Sequence, residues 1–270
     1  MHMIDYESLS RNIENYISNL KKENGLFQPV INGATKEGQL IDMGHTCYAL
    51  KVLYTINSDI LNDSNFTSEI YRRFESFKND YSDLPKGSYI DPNYYKIYKS
   101  NFTILWIKNV VKFFLRRIKI YEINPQFKFR EYIRAETKQS IATIKQIFPN
   151  YQISFTEFPQ TREDLNNFFD QLDWNHPWNA GAQVSGICVF ISILENNEDL
   201  VSFINEYLEQ LLLEDGSYGL PKVSDSSEKV NGAMKVITGL DWLNIPIHRP
   251  NELIDLCLKH KPNSEGCDIV

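Results

Sequence analysis

The residues best suited to chemistry lie in LDWNHPWNAGAQVSG, Leu172 to Gly186, where a histidine, an aspartate and two tryptophans precede a run of small residues. His176 belongs to the one side-chain type that ordinarily titrates near neutral pH, and Asp173 is close enough in sequence to orient its ring, so the pair has the make-up of an acid–base couple. Asp215, in LLLEDGSYGLP, supplies a further carboxylate. These three are the candidate catalytic residues. His45, Trp174, Trp178, Gln183 and Tyr218 are the candidate walls of a cavity, offering aromatic faces and a few polar groups. A structural reading stands beside this one. Pro177 suits the first turn of a helix, with Asn175 or Asn179 as its cap. Ala180, Gly181, Ala182, Ser185 and Gly186 then allow close packing under Trp174 and Trp178. The two readings are compatible.

Other reactive types carry weaker signals. Glu136, in RAETKQSIATI, is expected to pair with Arg134 or Lys138 on a helix surface, a cavity-facing carboxylate being the alternative. Asp170 and Asp173 share a spacing that fits one helical face, but Mg²⁺ needs further convergent oxygens. Cys47, Cys188, Cys257 and Cys267 are widely spread, without CxxC pairing, and read as reduced and mostly buried thiols. No phosphate-binding glycine loop and no Gly-x-Ser-x-Gly elbow occurs. No metal or cofactor is assigned.

The elements that must position these residues are helices. Leu9, Ile13, Tyr16, Ile17 and Leu20 recur at helical steps, as do Tyr48, Val52, Leu53 and Ile56, and again Leu200, Phe203, Ile204, Tyr207, Leu208 and Leu211. Alternating strand patterns are scarce, so the fold class is all-α. One phrase recurs between helices. LKKENGLFQP leads to GHTCYALKVLYTIN, and LLLEDGSYGLP leads to VNGAMKVITGLDWLN; LPKGSYIDP is a fainter copy. In each, glycine can end a helix in a left-handed conformation, and the aromatic two residues later can fold over the helix end. The small-residue helix that follows is expected to begin near Ala49 or Ala233. Such helix pairs cannot bury both faces alone, so they stack into an array or close into a ring.

Composition narrows the partners. The 270 residues carry a formal charge of -7, which repels nucleic acid and anionic lipid unless a local basic patch intervenes. The clearest such patch is Arg116, Arg117 and Lys119. The N-terminal MHMIDYESLS has acidic and polar residues where a signal peptide needs a basic cap and an apolar run, so the expected location is cytoplasmic. Lys108 and Lys112 interrupt the longest apolar stretch, and no transmembrane segment is expected.

The segment YLEQLLLEDGSYG followed by GAMKVITGL resembles the repeat of squalene and terpenoid cyclases and of protein prenyltransferase β subunits, with Gln210 and Tyr218 matching its glutamine and aromatic positions. LDWNHPWNAGAQVSG is similar to a segment of bacterial proteins carrying this repeat. The resemblance is specific around residues 205–244 and suggestive at 16–57 and 130–192. It implies an α/α toroid, a partial or complete ring of helical hairpins formed by residues 1–270 as one domain, and a central cavity for an isoprenoid or lipid-like molecule. If the ring closes, His45, Asp173, His176 and Asp215 meet at one mouth. The chain departs from the family in lacking Asp-x-Asp-Asp, Asp-Asp-x-x-Asp and the zinc ligand spacing, which counts against cyclisation and prenyl transfer. A carbohydrate-active toroid, built on Trp174, Trp178, Asp173 and Asp215, and a non-catalytic scaffold for a protein partner are the alternatives. The terminal CDIV matches a prenylation box only loosely.

Overall fold

The computed structural model describes residues 5–118 and 120–260, with only the backbone of Tyr121 described. The terminal CDIV, Cys267 included, lies outside them. The described residues form ten α-helices and two short 3₁₀ turns joined by loops, with no β-strand among them. None of these helices is long and apolar enough to cross a membrane. The chain divides into two compact units, Met1–Thr156 and Glu157–Val270.

The first unit contains α1 (Tyr6–Asn19), α2 (Met43–Thr55), α3 (Ser64–Phe77), α4 (Pro92–Phe114) and α5 (Pro125–Ile147). Local chemistry fixes most of the starts. Asp63 accepts hydrogen bonds from Asn65 N and Phe66 N to open α3, and Asn124 accepts from Gln126 N ahead of Pro125 to open α5. Such caps contribute about 1 kcal/mol each. Helix α2 begins six residues before Ala49, and its buried face is Thr46, Cys47, Ala49, Leu50 and Leu53. The spacing of Tyr48 and Val52 correctly signals a helix, but both are exposed; α2 packs against α5 through its opposite, buried face, where Cys47 Sγ lies 3.8 Å from Ser140 Oγ.

The second unit contains α6 (Arg162–Phe169), α7 (Pro177–Ile191), α8 (Glu198–Gln210), α9 (Ser226–Trp242) and α10 (Pro250–Lys259). Its centre is the pair α7 and α9. A Cβ at Gly232 would lie 2.5 Å from Pro177 Cβ, one at Gly181 would lie 2.8 Å from Gly232 O, and one at Gly239 would lie 2.9 Å from Cys188 Sγ. The small residues of WNAGAQVSG therefore serve close packing of helix backbones. Buried Leu200, Ile204 and Leu208 mark the inner face of α8, as their spacing predicts.

All three copies of the recurring phrase fold alike. Gly25, Gly87 and Gly216 take left-handed φ values of 82°, 76° and 79°. Phe27, Tyr89 and Tyr218, two residues on, are almost wholly buried and pair antiparallel with Lys21, Lys78 and Leu212. The next residue always donates back to the helix end: Gln28 N to Leu20 O at 3.0 Å, Ile90 N to Phe77 O at 2.9 Å, Gly219 N to Leu211 O at 3.0 Å. The aromatic ring thus plugs the base of each turn while two backbone bonds fix its entry.

Candidate functional site

Two helices of the first unit receive these turns by the same device. Thr46 Oγ1 on α2 accepts from Phe27 N at 3.1 Å, and Thr137 Oγ1 on α5 accepts from Tyr89 N at 3.1 Å. The residue before each threonine is ionisable: His45 in one copy, Glu136 in the other. The repeat therefore sets a histidine and a glutamate at corresponding positions of two helices that pack together.

Asp91 joins their surroundings. Its Oδ1 accepts from Asn93 N (2.8 Å) and Tyr94 N (3.4 Å), which caps α4. Its Oδ2 accepts from Asp42 N (2.7 Å) and Met43 N (3.1 Å), which caps α2. One carboxylate, 1% exposed, thus holds two helix starts. Asp42 in turn binds Lys22 Nζ at 2.6 Å and Asn24 Nδ2 at 3.2 Å, tying the first turn to α2.

Glu136 has a different environment. It points at Gly44, where a Cβ would lie 3.4 Å from its Oε2, and it accepts a hydrogen bond from the Tyr132 hydroxyl. Burial, and then the charge of Asp91, push its carboxyl up to about 7. The expected surface pairing with Arg134 or Lys138 gives way to this inward position, because Glu136 falls on the α5 face that meets α2. The same burial lowers the pKa of His45, against the opposing pull of Asp42 and Asp91, and favours its neutral ring. Tyr132 stacks on Tyr94 at 4.0 Å and Tyr94 on Phe129 at 6.1 Å, so an aromatic wall adjoins the carboxyl. Burial also pushes the Cys47 thiol up to about 12, which leaves it protonated and a poor nucleophile.

The sequence candidates of the second unit have mostly structural roles. Asp173 and His176 lie 4.0 Å apart, both well exposed, on the turn before α7. Hydrogen bonds from the Asn175 backbone and side chain hold the Asp173 carboxyl below its usual range. His176, rather than Asn175 or Asn179, takes the cap position, and it makes no side-chain cap bond. Trp174 is buried and donates from Nε1 to the Tyr207 hydroxyl at 2.7 Å, while its carbonyl receives Leu220 N at 3.2 Å. Trp178, expected to close the helix top with it, has an exposed ring. Its backbone N–H donates to Glu228 Oε2 at 3.2 Å. Gln183 is half-buried and bonds Asn179 at 3.4 Å.

Asp215 is a turn former with a cationic partner. Its Oδ1 accepts from Ser217 N at 3.1 Å and its Oδ2 from Lys229 Nζ at 2.7 Å. Desolvation is the largest single influence and raises its pKa, but the Lys229 and Ser217 bonds together outweigh it and hold the carboxyl below its usual range. Tyr218 is the plug of the third turn, its hydroxyl 3.1 Å from His248 Nδ1. His45 belongs to the first unit and the other candidates to the second. Among the described residues no group of three His, Cys, Asp or Glu side chains is placed to hold a metal ion.

Comparison with known families, characterised proteins and solved structures finds no match to this chain. The residues that sequence reasoning missed are Asp91 and Tyr132. IDP followed by a helical pattern does mark Asp91 as the cap of α4, but its second role, on a helix 48 residues earlier, has no local sign.

Proposed function

We propose that the first unit carries a proton-transfer site, Glu136 with neutral His45 nearby, that acts on an uncharged isoprenoid or similarly lipid-like molecule. The scaffold would be an α/α toroid related to terpenoid cyclases and prenyltransferase β subunits, for which the thrice-repeated turn is the support. The observation that carries the reading is the contrast between two neighbouring carboxyls. Asp91 is occupied by four backbone N–H groups, whereas Glu136 has a single hydroxyl donor, an aromatic flank and a pKa of about 7. Such a carboxyl can both hold and release a proton at neutral pH.

That value also restricts the chemistry. An acid this weak serves proton transfer at an oxygen atom, such as a hydroxyl, ether or carbonyl, and is poorly matched to protonating an isolated double bond. The absent Asp-x-Asp-Asp points the same way. The sugar-acting alternative rested on Trp174, Trp178, Asp173 and Asp215, and Trp174, Asp173 and Asp215 are engaged in hydrogen bonds within the second unit.

Native mass spectrometry with organic extraction, followed by thermal shift against long-chain isoprenoid alcohols and against oligosaccharides, tests the reading. A co-purifying neutral lipid, or a shift with the alcohols whose pH dependence disappears in Glu136→Gln, supports it. A clean protein that responds to oligosaccharides, or to neither class, overturns it.

A further inference from the structure

Between Asp91 and Glu122 the chain has no acidic residue and seven lysines or arginines, although its overall charge is -7. Most of this stretch is α4. Along its C-terminal half Ile104, Ile107, Val111 and Phe114 recur at steps of three and four residues, which places them in one stripe. They are 52%, 52%, 52% and 78% exposed, and Trp106 and Leu115 beside them are also open. Lys108 and Lys112 lie along the same helix, and Arg116 and Arg117 follow its end, where Arg116 turns the chain with a φ of 55°. All four cations are exposed, and none forms an ion pair with a described residue. Lys99, nearer the helix start, is by contrast engaged by Asp83 at 2.6 Å.

An apolar stripe of this extent is costly to leave in water, and the uncommitted cations around it restrict what covers it. A second copy joined by two-fold symmetry would bring like charges together. A soluble polyanion would satisfy the lysines and arginines but leave Ile107, Val111 and Phe114 wet. An anionic lipid surface satisfies both: the aliphatic and aromatic side chains enter the head-group and acyl boundary, and the cations reach back to phosphate. No described helix spans a bilayer, so the element would lie on the surface rather than cross it. We propose that the C-terminal half of α4 and the turn at residues 115–117 dock this protein on anionic lipid membranes. The inference does not depend on the Glu136 site.

Co-sedimentation of the full chain with vesicles tests it, comparing phosphatidylcholine alone with phosphatidylcholine containing about 30% phosphatidylserine. Binding is expected only to the anionic vesicles and is expected to weaken as salt rises. Lys108→Gln and Lys112→Gln should each lower the partition coefficient about five-fold. The double variant Ile107→Ser, Phe114→Ser should abolish binding while leaving the circular dichroism spectrum unchanged. Absence of binding, or binding that ignores both salt and these variants, overturns the proposal. So does capture by an oligonucleotide or polyglutamate without vesicle binding, or a dimer that the Ile107→Ser, Phe114→Ser variant dissociates. Glu136→Gln should leave vesicle binding unchanged, so failure of the two readings can be told apart.

Discussion

Replacing Glu136 with glutamine should stabilise the protein at alkaline pH and lose that advantage in acid. The folded chain keeps the Glu136 proton up to about 7, whereas an ordinary glutamate releases it near 4.5. Between those values the folded state binds more protons than the unfolded state, so stability falls as pH rises, and the full cost is present above the folded pKa. At about 1.4 kcal/mol per pH unit, the interval corresponds to about 3 kcal/mol. Glutamine has no such ionisation. Its stability relative to the parent should therefore rise by about 3 kcal/mol between about pH 4 and about pH 8. Taking the difference across pH removes the contributions that do not titrate, such as altered packing against Gly44 or a changed bond to Tyr132. Urea unfolding at both pH values measures it, and a ¹³C carboxyl titration with a midpoint near 7 checks the origin. A rise below about 1 kcal/mol, or a change of the opposite sign, refutes the burial argument.

Two further substitutions probe the scaffold. Asp91→Ala removes the acceptor of four N–H groups at the starts of α2 and α4 and should cost about 3 to 4 kcal/mol in chemical unfolding, with Asp91→Asn retaining about half. Gly232→Ala places a methyl 2.5 Å from Pro177 Cβ and 2.8 Å from its carbonyl carbon, so α7 and α9 must part; a loss of about 2 kcal/mol in thermal or urea unfolding is expected.

The helices are legible in the sequence, because the spacing of Leu200, Ile204 and Leu208 or of Ile13 and Ile17 fits a 3.6-residue turn and little else. The three turns are legible there too. Glycine two residues before Phe27, Tyr89 and Tyr218 is a local requirement, since a left-handed φ is readily taken only there, and local requirements are written locally. The small residues of α7 were legible as packing residues for the same reason.

Which polar residues stand alone and which are consumed depends on packing between segments distant in the chain. Asp173, His176 and Asp215 have the right types for catalysis, yet one is held by Asn175, one is exposed on a turn, and one is tied to Lys229. Glu136 reads as one more helical acid until α2 presents Gly44 opposite it. Asp91 reads as one more helix cap until a second helix start, 48 residues away in sequence, arrives at its other oxygen. A pKa depends on burial and on charges close in space, and neither quantity is carried by neighbours along the chain.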